Sequence, residues 1–330
     1  NGIEQPVYHW TGSLGSALCD TVVIGNFSFA EYTDHDFILW SELPNGVPDS
    51  THINDTLAID DQYPALSGTY TVGGVLPDFN QFIELENALN KGGILNNVTF
   101  DIRSGTYNTQ LAIQHFPRTN YNHQVIFQSE GRDSSLVNIR RNFSHANNYT
   151  IKLSDAHNII FRDLTLSSTQ GRIVDIADAS SKIDINHCRL TGVDIPYVSG
   201  GHQLIYSSTT TEDSVHISSN RFEEGDYGIY LTASGGDLEK DVSITDNYFR
   251  NVRYRSIHTH NHDGLAINGN TIFNDQHDHE GISITASINT KSISGNDIRQ
   301  LAGGNHGLYL HYVSGTSGMP ALINNNYIYI

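Results

Sequence analysis

The chain has 330 residues, with 36 Asp and Glu against 18 Lys and Arg, a formal net charge of −18 with histidine neutral. That balance argues against nucleic acid and anionic membrane surfaces as partners, because both are held through basic patches. No apolar run reaches the ~20 residues of a membrane-spanning helix, so no membrane insertion is expected. The two cysteines, Cys19 and Cys188, fall in different parts of the chain. No structural disulfide is expected, and Cys188 reads as a small buried apolar residue.

Residues 1–60 read as a β module. Tyr8-His-Trp10-Thr-Gly-Ser-Leu14, Thr21-Val-Val-Ile24 and Phe37-Ile-Leu-Trp40 are strand-like and separated by turn residues. Pro44-Asn45-Gly46 and Asn54-Asp55-Thr56 follow. This stretch resembles the second half of an immunoglobulin-like module of the CARDB type, found in large bacterial surface proteins. The resemblance implies that the first strands lie upstream of Asn1. Ser67-Gly-Thr-Tyr-Thr-Val-Gly-Gly74, Pro77-Asp-Phe79 and Ser104-Gly-Thr-Tyr107 are similar to the segment that opens β-helix domains of secreted Bacteroidota proteins.

A helix is expected over 78–91. Asp78 can cap it, and Phe79, Phe82, Ile83, Glu86 and Leu89 give helical spacing before Gly92-Gly93. Its place just ahead of a set of strands suits the terminal cap of a solenoid, which otherwise exposes core and unpaired strand edges. Short alternating strands come next: Val98–Ile102, Leu111–Ile113, Val125–Phe127, Val137–Ile139 and Ile151–Leu153.

One pattern then recurs five times: Ile217-Ser-Ser-Asn220, Ile244-Thr-Asp-Asn247, Ile267-Asn-Gly-Asn270, Ile293-Ser-Gly-Asn296 and Ile323-Asn-Asn-Asn326. The Asn-to-Asn steps are 27, 23, 26 and 30 residues, a period that signals a solenoid. An apolar residue stands two places after each Asn: Phe222, Phe249, Ile272, Ile298 and Ile328. Each Asn is expected to turn the chain by adopting the left-handed conformation, and the five amides to stack as a ladder. Cys188 and Leu164 occupy the Asn slot in two earlier, less faithful copies. A second strand follows each Asn, as in Gly228–Leu231, Ser256–Thr259, Gly281–Ile284 and Gly307–Leu310, with surplus length in surface loops such as Ala233–Asp241.

From these repeats the chain resembles the right-handed parallel β-helix of the pectin-lyase-like superfamily over roughly 69–330. The expected fold is therefore all-β, with a partial Ig-like module over 1–60 and the β-helix over 61–330. Lacking an initiator Met and a signal peptide, and stopping within a coil at Ile328-Tyr-Ile330, the chain reads as part of a longer polypeptide.

The chemistry must lie on the outer surface. Two columns of side chains are expected there: Tyr230, His258, Ser283 and Tyr309, and beside them Tyr227, Arg255, Glu280 and His306. Aromatic faces next to charged and amide groups suit sugar rings and hydroxyls, which makes Tyr230, His258 and Tyr309 the ligand-binding candidates. The implied function is a non-catalytic, adhesive segment of a very large secreted cell-surface adhesin or extracellular appendage. Its partners would be glycans or cell surfaces, other modules of the same polypeptide and, in an appendage, further copies of itself.

Many members of the superfamily act on polysaccharides. The alternative is thus a polysaccharide lyase or glycoside hydrolase acting on acidic polysaccharide, with Arg255, His258 and Tyr230 as its catalytic groups. No cofactor is required by either reading. A calcium or transition-metal ion is conceivable at His258, His260, His262 and Asp263, since three alternating histidines on one strand would share a face.

Overall fold

Every strand from Leu66 onward lies parallel to one contributed by a neighbouring coil of the chain. The computed structural model that shows this describes residues 2–13, 15, 18–25, 32–43, 53, 55–118, 120–142, 148–194, 201–208, 212–234 and 236–330. The chain divides into two units, Asn1–Tyr32 and Thr33–Ile330.

In the first unit none of the described residues lies in a strand or helix. The strands expected at Tyr8–Leu14 and Thr21–Ile24 are therefore absent from the described part of those segments. Alternation alone does not hold an extended segment, because a strand exists through its ladder of partners. The segment Phe37–Trp40 does find one. His35–Trp40 pairs antiparallel with Thr56–Gln62, and this pair belongs to the second unit. Pro44-Asn45-Gly46 and Asn54 lie outside the described residues.

From Leu66 the chain winds as a right-handed parallel β-helix of about nine coils, the expected fold. Each complete coil contributes one strand to each of three parallel sheets. One coil shows the order: Val215–Ser218 enters sheet 1, Arg221–Glu223 sheet 2 and Tyr227–Thr232 sheet 3. The interior is a set of columns in register. In sheet 1, Phe100, Phe127 and Phe161 stack with ring centroids 5.0 Å apart at each step. Ile185, Ile217, Ile244, Ile267 and Ile293 continue the same column. In sheet 2, Phe222 and Phe249 stack at 4.6 Å with planes 8° apart. These side chains are fully buried, and the strict register follows because a one-residue slip would turn every apolar side chain outward. Glycine at the start of a sheet 3 strand has a steric reason. A Cβ on Gly228 would sit 2.6 Å from the Ser256 carbonyl, and one on Gly281 2.4 Å from that of Gly307.

The corner between sheets 1 and 2 carries the asparagine ladder. The Nδ2 of Asn220, Asn247, Asn270 and Asn296 donates to the next Asn Oδ1 at 3.1, 3.1, 3.0 and 2.8 Å. The same Oδ1 atoms accept backbone amides, and Nδ2 also donates to the isoleucine carbonyl of the preceding coil, as from Asn270 to Ile244 at 2.9 Å. The left-handed residue is not the Asn but the one before it: His187, Ser219, Asp246, Gly269, Gly295 and Asn325 all have φ between 52 and 68°. The Asn works by satisfying turn amides and carbonyls that the strands leave orphaned. Where Cys188 takes the slot, its amide is bonded by Asn220 Oδ1 at 2.8 Å, and burial pushes its thiol up to about 12.

The helical cap is shorter than expected and differently started. Phe82–Asn87 is α-helical and Ala88–Gly92 continues as a wider turn. Asp78 does not cap it; its carboxylate accepts from the Thr71 amide at 2.7 Å and the Thr71 hydroxyl at 2.8 Å. The helix instead starts at Gln81, with the Glu84 carboxylate reaching back to the amides of Asn80 and Gln81, the reach of a capping box. Phe82, Leu85, Ala88 and Leu89 are buried.

Candidate functional site

The outer face of sheet 3 holds the candidate site. Its strands Arg172–Ala177, Gln203–Ser207, Tyr227–Thr232, Arg255–Asp263, Glu280–Ile288 and His306–Val313 are neighbours in that order. The register places Tyr206, Tyr230, His258, Ser283 and Tyr309 on successive rungs of one outward column. A second column runs through Gln203, Tyr227, Arg255, Glu280 and His306. Tyr230 and His258 are thus adjacent, while Tyr309 stands two rungs beyond His258, across Ser283.

The rings pack as a continuous patch. Tyr206 and Tyr230 are stacked, with centroids 5.4 Å apart and planes inclined by 13°. Tyr230 meets His258 at 4.9 Å, Tyr227 meets Tyr230 edge-on at 5.2 Å, and Tyr254 lies 5.9 Å from Tyr227. At one end the Arg172 guanidinium lies 3.4 Å from the centre of the Tyr206 ring while bonding Asp175 at 2.9 Å. At the other end Tyr309 meets His306 at 5.2 Å. Cross-strand aromatic pairs of this kind stabilise a sheet face as well as offering a flat surface.

Beside the rings is a cleft of about 180 Å³, lined by Tyr227, Tyr254, Arg255, Asp278, His279, Glu280 and Asn305. Arg255 Nε donates to Glu280 Oε2 at 2.5 Å, and the other Glu280 oxygen lies 3.8 Å from His306 Nδ1. Arg255 Nη1 donates to His258 Nδ1 at 3.4 Å, which leaves Nε2 carrying the imidazole proton. Burial, reinforced by the Arg255 charge, pushes His258 down to about 4. His258 is therefore a neutral ring at pH 7. Burial likewise raises Tyr227, against the pull of Arg255. His279 beneath the cleft is also neutral, pushed down by burial to about 3. Gln300 Nε2 donates to its Nδ1 at 3.1 Å, and its Nε2 bonds Ser256 Oγ at 3.0 Å.

A network of charges flanks the cleft. Arg253 bonds Asp194 and lies 3.8 Å from Asp226, and His277 Nε2 lies 3.3 Å from Asp194. The arginines of this face are thus each spoken for by a carboxylate. What the surface offers a ligand is aromatic area, hydroxyls, neutral imidazole and the Asp278 carboxylate at the cleft, with its arginines held in pairs.

The proposed metal quartet does not assemble. His258 and His260 face outward, but Asn261 takes φ of 62° and breaks the alternation, so His262 turns inward and is completely buried. There its Nε2 bonds the Leu231 carbonyl at 3.2 Å, and its Nδ1 lies 3.3 Å from Glu239. His260 bonds Thr285 at 2.7 Å, and Asp263 accepts from Asn289 at 2.7 Å. Three histidines at alternate positions share a face only while the strand stays regular.

Two further features went unread in the sequence. Tyr206 extends the aromatic column; Leu204-Ile205-Tyr206 alternates like the later copies, but no Asn marks its coil. Glu239 lies in Ala233–Asp241, which reads as a surface loop. It is instead fully buried beside Glu212 and Ser207. Burial and the neighbouring Glu212 push it up to about 9, so it is protonated at neutral pH.

Among curated proteins, none matches the chain. Among solved structures, pectin methylesterase from Aspergillus niger is similar at 14% identity, covering 80% of this chain and 86% of that one with a TM-score of 0.50. Rice weevil pectin methylesterase covers 80% and 90% at 14% identity and 0.46. PfbA, a surface adhesin of Streptococcus pneumoniae, covers 75% and 87% at 12% identity and 0.29. The Aspergillus enzyme supports a shared fold. Residues 185–329, the coils that carry the asparagine ladder and most of the aromatic face, match the family described as periplasmic copper-binding protein (NosD).

Proposed function

We propose that the outer face of sheet 3 is a non-catalytic carbohydrate-binding surface of a protein that works outside the cytoplasm. The observation that carries this reading is the contiguous aromatic patch of Tyr206, Tyr230 and His258, flanked by Tyr227 and Tyr254. Apolar ring faces next to hydroxyls and paired charges match the alternation of C–H faces and hydroxyls on a sugar. Tyr230, His258 and Tyr309 are the proposed contacts. The periplasmic description of the family matched over 185–329 supports the location.

The lyase alternative is the weaker one on geometry. β-Elimination at a uronate needs a free cationic group to neutralise the carboxylate and a base to take the C5 proton. Arg255 is held by Glu280, Arg253 by Asp194, and Arg172 by Asp175. His258, down at about 4, is a weak base. An adhesive role would draw strength from many weak contacts through effective concentration. The Ig-like reading of 1–60, membership of a long surface polypeptide, self-association in an appendage and a Bacteroidota source belong to the same proposal.

The test is titration of the chain against neutral and uronate oligosaccharides by calorimetry, with parallel assays for unsaturated product and new reducing ends. Weak binding that is lost in Tyr230→Ala, without product, is expected. Turnover that vanishes in Arg255→Ala or His258→Ala would make the protein an enzyme instead.

A further inference from the structure

On the other side of the coil from the ladder, the chain leaves sheet 3 and enters sheet 1. At that corner Leu111–Ile113 runs toward His115, and the next coil's Tyr149–Ser154 lies on it with Leu111 opposite Ile151 and Ile113 opposite Leu153. Continuing that register stacks His115 on Asp155. Asp155 turns the chain with φ of 52°, and His157 opens the following sheet 1 strand two residues later. His115 Nδ1 lies 3.1 Å from one Asp155 oxygen, and His157 Nε2 lies 3.0 Å from the other. One ligand atom from each residue falls within 4.8 Å of the others, the one such group of His, Cys, Asp and Glu among the described residues.

We infer that His115, Asp155 and His157 form a binding site for a divalent first-row transition metal of the zinc type. Two imidazoles and a carboxylate are a donor set for such ions, and a tetrahedral site with bonds of about 2.0–2.1 Å places its ligand atoms about 3.3 Å apart. The two His–Asp separations, each to a different Asp155 oxygen, are close to that, and the three ligand atoms lie within 4.8 Å of one another. Two of the three ligands, His157 and Asp155, are held by the fold. His157 is the rung neighbour of Ser181, whose hydroxyl lies 2.7 Å from His157 Nδ1. A proton on Nδ1, donated to Ser181, frees the Nε2 lone pair toward the metal, the arrangement by which outer partners orient ligating histidines. Asp155 is fixed by its amide, which donates to the Ala177 carbonyl at 3.3 Å. The nearby Arg118 is drawn aside, its guanidinium 4.5 Å from the centre of the Tyr121 ring and its Nη1 directed at the His157 carbonyl. His115 and Asp155 are half exposed, so a fourth position stays open to water or an exogenous ligand. The site lies outside the residues matched by the copper-binding family and away from the aromatic face.

Calorimetric titration of the full chain with Zn2+ tests it, against Ca2+ as the oxygen-seeking control. One tight Zn2+ site is expected, weakened at least about tenfold in His157→Gln and in Asp155→Asn, and weakened about tenfold in Ser181→Ala through loss of the orienting bond. His187→Gln, an exposed histidine of another coil, should leave it unchanged. Because binding stabilises the folded state by mass action, Zn2+ should raise the melting temperature of the native chain and of His187→Gln but not of Asp155→Asn. His115→Gln, altered at an exposed side chain, keeps the test open if His157→Gln fails to fold. Zn2+ binding indifferent to all of these substitutions, no tight Zn2+ site at all, or Ca2+ bound as tightly as Zn2+ would overturn the assignment.

Discussion

The corner between sheets 1 and 2 and the outer face of sheet 3 come from the same coils, yet their sequences behave in opposite ways. At the corner each coil repeats one residue, asparagine, five times from Asn220 to Asn326. On the outer face the equivalent rungs read Tyr206, Tyr230, His258, Ser283 and Tyr309. From Asn220 onward the corner closes the same set of orphaned backbone groups at every step, and one residue, asparagine, does so each time. The outer face has its backbone groups satisfied by the parallel ladder and can vary its side chains without disturbing the coil. Scaffold and surface chemistry are thereby separated within a single repeat.

Four experiments would break or sharpen that contrast. The largest effect is expected inside. Phe249→Ala removes a fully buried ring stacked on Phe222 and should cost about 3–5 kcal/mol in denaturant unfolding. A loss below 1 kcal/mol would mean that the coils do not pack as one core.

At the corner, Asn270→Leu strips partners from the Asn247 amide, the Ile244 carbonyl and Asn296. About 1–3 kcal/mol should be lost for burying such a group unpaired. Comparing Asn270→Leu with Asn270→Asp and with an exposed Asn→Leu elsewhere isolates the ladder. Equal losses in ladder and control positions would show that the amides contribute nothing as a set.

Acidification comes next. His279, His258 and His262 are held neutral by burial, at about 3, 4 and 4. Their folded values are depressed, so the stability they contribute is whole above the unfolded value of ~6.5 and is lost as pH falls through the folded values. Stability should therefore fall between about pH 6.5 and 4, with each such histidine contributing a slope of up to ~1.4 kcal/mol per pH unit. Glu239, raised to about 9, works in the opposite sense. Its contribution is complete below ~4.5 and is lost as pH rises through 9. Unfolding midpoints measured from pH 4 to 9 should peak near neutrality, and His279→Gln should flatten the acid limb. An acid limb unchanged by that substitution would remove His279 from the account.

The smallest stability effect is expected on the outer face. Tyr230→Ala removes a partly exposed ring and should cost at most about 1 kcal/mol of cross-strand packing, while abolishing the proposed sugar binding. If stability dropped as far as in Phe249→Ala and binding persisted, the aromatic column would be structural.

Much of this architecture is legible in the residues themselves. The Ile-x-x-Asn repeats give the period, the sheet 1 strand and the ladder, because interior columns demand one apolar residue per coil and the corner demands an amide. The same repeats align Tyr230 with His258 and Arg255 with Glu280. Legibility falls wherever a local departure decides direction. Asn261 reverses His262, and no pattern of alternation reveals a single positive φ. Asp78 looks like a helix cap, yet Thr71 of the adjoining strand claims it. The described residues of Tyr8–Leu14 and Thr21–Ile24 alternate yet lie in no strand.

The sequence by itself determined the coil: its period, its buried columns and its amide corner, all of which follow from backbone satisfaction and apolar burial repeated at each turn. Only the tertiary structure decided which distant groups meet across coils. Glu239 with His262, and His115 with Asp155 and His157, are separated by loops of unequal length. Their meeting depends on the register of stacked coils, which chain spacing does not reveal.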